Sequence, residues 1–218
     1  MVIGVLLAAS VVGVIVFALL LIFRKDLVGV DLSVRSLLRL YLYLASLAAI
    51  IVFAIGVSAT IDWAMGSAFG GEVVYGRPPV VQLCPVGEKC VDPEQIRTQY
   101  THEHEQRQQQ DLLRGLTLMA FGAVFGGGHF LMRRSVTGIE DPGSALRRAH
   151  NVLSTFVFGV GTVILLPVGI YFALSVALLP QVQDVYRQGV GDSLSGGLVA
   201  LPIWLIYLQR IVRAAAAA

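Results

Sequence analysis

Two histidines, His129 and His150, stand where long apolar runs meet polar sequence, and the first directly follows Gly126-Gly127-Gly128. Imidazole is a common axial ligand of haem iron, and glycines remove the side chains that would block a flat macrocycle. A haem or chlorin held by His129 and His150 is therefore one chemistry that these residues allow. A plainer reading needs no cofactor. Arg133 lies one turn beyond His129, so the ring can reach interfacial water, and Gly122-x-x-x-Gly126 puts two small residues on one helix face, a pattern that lets membrane helices pack closely. On that reading the glycines serve packing, and no cofactor is expected.

Cys84 and Cys90 are the only cysteines. Pro85-Val86-Gly87-Glu88-Lys89 between them supplies turn formers, and the segment falls on the side of the membrane assigned below to the oxidising compartment. A disulfide is the expected state. A zinc site would have to add His102 and His104, because thiolates and imidazoles together suit that ion. Residues two apart on a helix point about 200° apart, however. With a helix expected there, the two rings cannot converge on one ion, and no metal site is expected. The chain also lacks a Gly-x-Ser-x-Gly elbow, a His-Glu-x-x-His pair and a phosphate-binding glycine loop, so it is read as non-catalytic.

The elements that must carry these residues are set by hydropathy. The 218 residues are 56% hydrophobic and only 14% charged, with a mean hydropathy of +0.76. Soluble domains carry about 25% charged residues. The net charge of +2 gives no basic field for nucleic acid. A helix crossing about 30 Å of hydrocarbon needs roughly 20 apolar residues, and residues 2–23, 37–61, 115–132, 152–179 and 194–208 qualify. The expected fold is an all-α integral membrane protein of five transmembrane helices. Residues 2–23 lack a positive leading region and exceed the apolar length of a secretion signal, so they are read as a retained anchor.

Basic residues give the direction. Arg24, Lys25, Arg35 and Arg39, then Arg133, Arg134, Arg147 and Arg148, then Arg210 and Arg213 all fall on one side. The amino end is accordingly expected outside and the carboxyl end in the cytoplasm of a bacterial plasma membrane. Asp92-Pro93-Glu94-Gln95 offers an N-cap, a proline at the first helical position and a reciprocal cap. A helix from there can run unbroken through Met132, its polar first part projecting from the membrane. Asp141-Pro142-Gly143-Ser144 repeats the start signal, while Pro167 and Pro202 fall inside spans and predict kinks. The spans hold no charged residue away from their ends, which argues against proton-coupled transport.

Arg39-Leu40-Tyr41-Leu42-Tyr43-Leu44 and Arg147-Arg148-Ala149-His150-Asn151-Val152 open two successive hairpins in a similar way, and each hairpin closes on aromatic residues and arginine. The chain is thus divided into an anchor (1–30), a first helical hairpin (31–65 and 112–138), an extracytoplasmic insertion (66–111), a second hairpin duplicating the first (139–213) and a poly-alanine tail (214–218). At these residues it resembles a family of uncharacterised bacterial membrane proteins built on a repeated two-helix domain with an Arg-x-Tyr-x-Tyr-Leu opening. That resemblance implies an architecture and no activity. The expected role is a non-catalytic accessory or scaffold subunit of a larger membrane complex. Its partners would be other integral membrane subunits and the lipid bilayer, with the insertion free to contact a partner outside. The alternatives are a small homo-oligomeric transporter or sensor, and a haem- or pigment-binding redox subunit.

Overall fold

The computed structural model describes residues 34–76, 93–137, 145–178 and 189–216. Among them every element is a helix: α1 Val34–Phe69, α2 Gly71–Tyr75, α3 Pro93–Thr137, α4 Ala145–Leu178 and α5 Gly191–Ala216. Four of these, α1, α3, α4 and α5, are long and apolar enough to cross a bilayer. The expected first crossing at residues 2–23 lies outside the described residues, as do Cys84 and Cys90. Within the described residues the chain is an all-helical protein with four candidate membrane crossings.

The helices begin and end for local reasons. Proline opens α3 at its first position, where its missing N–H costs nothing. From there α3 runs unbroken for 45 residues, about 67 Å at 1.5 Å per residue. The hydropathy of α1 falls at Ile61, yet the helix continues to Phe69 and stops only at Gly70, whose φ of 94° is left-handed. Pro167 and Pro202 sit inside α4 and α5 as expected, and neither ends its helix.

Helix α1 is central. It packs most extensively on α3 and also touches α4 and α5, while α4 and α5 pack on each other. Leu47, Ile51, Leu153, Val157, Phe158 and Val199 form the apolar core where α1, α4 and α5 meet. Against α3 the packing is different, because backbone meets backbone. A Cβ on Gly56 would lie 2.6 Å from Met119 N, one on Gly122 would lie 2.7 Å from Phe53 N, and one on Gly115 would strike Thr60 Oγ1. The second hairpin closes in the same manner, with Gly169 against Leu194 and Gly197 against Leu166. Lipid is as apolar as leucine, so membrane helices gain little from burying oily side chains and must gain from close van der Waals contact instead. Of the two glycines expected to pack, Gly122 is indispensable, whereas a Cβ on Gly126 would meet only Ala49 Cβ at 3.5 Å, an ordinary contact.

Charge is sorted along the bundle. All carboxylates of the described residues (Asp62, Glu72, Glu94, Glu103, Glu105, Asp111 and Asp192) belong to one end, where Arg97, Arg107 and Arg114 accompany them, and Arg39, Arg133, Arg134, Arg147, Arg148, Arg210 and Arg213 belong to the other. At the carboxylate end α2 is wedged beside the start of α5. Val190 N donates to Val73 O at 3.0 Å. Gly189 makes that approach possible: its φ is +61°, and any Cβ would collide with Val74 O.

Candidate ligand-binding site

Three elements converge on Asp62. It lies on α1 one turn after Ser58, so both side chains share a face. Ser58 Oγ and Ser195 Oγ of α5 are 2.8 Å apart in the buried interior, and the Ser195 hydroxyl also hydrogen-bonds the Asp62 carboxyl. Asp62 is 4% exposed. Among the described residues its Oδ1 has no hydrogen-bond partner, and it lies where a side chain on Gly191, at the start of α5, would come within 3.0 Å. A buried carboxylate oxygen without a partner is costly, and native interiors contain few.

Beside it opens a cavity of about 660 Å³ between α1, α2, α3 and the start of α5. Its charged lining is Asp62, Asp111 and Asp192 with Arg107 and Arg114, its neutral polar lining includes Tyr75, and Val74, Leu113 and Leu118 supply its apolar wall. The Tyr75 hydroxyl is a second buried polar atom without a well-formed hydrogen bond, although it faces the carboxylate of Asp111. The far face of Tyr75 packs on His104, ring centroids 5.9 Å apart, and His104 in turn packs on Tyr100 at 6.1 Å. Gln108 Nε2 ties α3 to α1 by donating to Ser67 Oγ at 2.7 Å.

Burial, and next the negative charge of Asp111, push the Tyr75 phenol above its ordinary value of 10.0. A group whose folded-state value is raised contributes stability that is intact below that ordinary value and lost as pH climbs past it. Tyr75→Phe has no proton to lose. Between about pH 9 and pH 11.5 its melting temperature is therefore expected to fall less than that of the parent chain. Parallel slopes in thermal melts across that range would contradict the placement of Tyr75.

The histidines singled out in the sequence occupy the opposite end. His129 Nδ1 is 2.7 Å from Phe125 O, so Nδ1 carries the proton and donates it. Nε2 is then an acceptor, and the Tyr41 hydroxyl lies 3.3 Å away. Both ring nitrogens of His129 thus have partners within the protein. His150 is buried between Tyr43, at 5.2 Å, and Tyr207, at 6.0 Å. Arg133 lies over the Tyr43 ring and Arg210 over that of Tyr207, at 4.8 and 5.2 Å. Tyr41 and Tyr43 are two apart on α1, so they point to opposite sides of it. One is 56% exposed and the other 2%. Each tyrosine serves a different histidine, and α1 stands between His129 and His150.

His102 is exposed and hydrogen-bonds Gln106, while His104 is buried rather than solvated. The packing of His104 needs the short helix α2, which apolar periodicity does not reveal. Among the described residues no three of His, Cys, Asp and Glu are grouped to hold a metal ion. Gly127 and Gly128 have no described residue within 4 Å of a built Cβ, so packing among the described residues gives no reason for them. No protein-family model, no curated protein and no solved structure matches this chain.

Proposed function

We propose that this chain is a non-catalytic polytopic membrane protein that binds a small solute at the extracytoplasmic end of its helix bundle, as a sensor or small transporter does. The single observation behind this reading is the buried Asp62 oxygen that faces no partner beside a cavity of ligand size. Binding pockets for small molecules occupy about 300–1,000 Å³ and combine apolar walls with a few placed polar groups. The orientation belongs to the same proposal. Arginines gathered at one end favour that end in the cytoplasm of a bacterial plasma membrane, with the carboxyl terminus there and the amino terminus outside. The proposed duplication of the hairpin is supported by glycine-mediated crossings in both halves.

The test is a thermal-shift screen of the full chain in lipid nanodiscs against a panel of amines, amino acids, organic acids and sugars. At least one class is expected to raise the melting temperature in a way that Asp62→Asn abolishes. A silent panel would remove the solute-binding reading. A second reading, an accessory or scaffold subunit partnered by other integral membrane subunits, rests on α3. That helix packs on α1 and touches α2, while Leu113, Leu116, Phe121, Val124, Phe125 and Leu131 are exposed along it. Gentle extraction would then recover stoichiometric partners, and a monodisperse lone chain would count against it.

A further inference from the structure

We infer that the cavity beside Asp62 is a receptor site for a small organic monoamine, whose ammonium sits between the Asp62 carboxylate and the Tyr75 hydroxyl while its apolar body lies on Val74, Leu113 and Leu118. This rests on the solute-binding reading and gives that solute a chemical class. Three buried side-chain polar atoms among the described residues make no well-formed hydrogen bond, and two of them, Asp62 Oδ1 and Tyr75 Oη, belong to residues lining this one cavity. Both can accept a hydrogen bond. The Tyr75 hydroxyl has Asp111 as its near carboxylate, and Asp62 has Ser195 on its carboxyl and no described residue on Oδ1.

A donor satisfies both oxygens at once, and an ammonium carries three donors and no acceptor. Charge selects the same class. Asp192 and Asp111 act on Asp62 more strongly than Arg114 does, whereas Asp111 has Arg114 and Arg107 as its own counter-ions. In the cavity lining three carboxylates, Asp62, Asp111 and Asp192, face two arginines, Arg107 and Arg114, a balance that favours a cation over an organic acid. A bare divalent ion is a poor fit, since the acidic side chains do not converge as ligands and much of the wall is apolar.

Four probes that share an aryl body separate the possibilities: phenethylamine, phenylalanine, 3-phenylpropionate and 2-phenylethanol. They are titrated against the full chain in nanodiscs at pH 7.5, with melting temperature and tyrosine fluorescence as readouts. Phenethylamine is expected to bind most tightly, 3-phenylpropionate not at all. Asp62→Asn should weaken the amine at least about tenfold, and Tyr75→Phe by about three- to tenfold. Asn has the shape of Asp, and the Tyr75→Phe arm reads the same site if Asp62→Asn expresses poorly. Tighter binding of phenylalanine or the acid, or equal binding of phenethylamine to parent and Asp62→Asn, overturns the amine assignment while leaving a solute site. Silence of all four probes also overturns it. The solute-binding reading itself then falls only if the wider panel gives no shift sensitive to Asp62→Asn.

Discussion

Gly122→Val is expected to separate α3 from α1 and to destabilise the chain by about 3 kcal/mol or more, the upper range for overpacking a tight contact. The reason is where the new atoms would go. A Cβ on Gly122 would lie 2.7 Å from the nitrogen and 2.8 Å from the Cα of Phe53. Backbone occupies both sides, so no rotamer relieves the clash and the helices must move apart. Moving them apart also loosens Gly56 against Met119 and Gly115 against Thr60, contacts made in the same crossing. Gly127→Val is the control, because its Cβ would meet no described residue within 4 Å. That change should stay within about 0.5 kcal/mol. Denaturation midpoints in mixed micelles measure both, and equal midpoints for the two variants would contradict the backbone crossing.

Asp62→Asn is expected to act in the other direction. With no ligand present it should stabilise the chain by about 1–3 kcal/mol at pH 8, because it removes a buried carboxylate whose Oδ1 is unsatisfied. The amide is neutral, matches the carboxylate in shape and can still accept from Ser195. A stabilising substitution at a buried polar position is the usual sign that the native residue serves function at the expense of stability. A lower melting temperature for the ligand-free variant would mean instead that Asp62 is a structural strut.

Much of this architecture can be read from the residues, and what cannot follows a pattern. Long apolar runs locate α1, α3, α4 and α5, and the proline signal locates the start of α3, because both depend on neighbours in sequence alone. The end of α1 is different. Its apolar run stops at Ile61, where a carboxylate reads as an ordinary span boundary, but a helix ends where its backbone turns, and here that is Gly70. Asp62 is therefore inside a helix. Its burial is created by α2 and the start of α5, which meet through the Val190–Val73 hydrogen bond across a long stretch of chain. The one local hint was Ser58-x-x-x-Asp62, two polar residues on one helix face.

The histidines teach the same lesson from the other end. His129 and His150 look like a pair at one depth, and depth is what hydropathy measures. Which side of α1 each one occupies depends on helix rotation, which Tyr41 and Tyr43 reveal only once their rings are seen against them. The expected disulfide between Cys84 and Cys90 falls outside the described residues. Gly122 and Gly126 form one motif in the sequence, and only the first meets a backbone.

The sorting of charge along the bundle has a consequence for biogenesis. Turning a membrane-inserted copy upside down would drag carboxylates one way and guanidinium groups both ways through oil, each at no less than about 2.5–3.5 kcal/mol at the midplane. Spontaneous flip-flop is therefore closed to this chain. Copies inserted in one orientation would keep it, and a membrane holding them would present one face to each compartment.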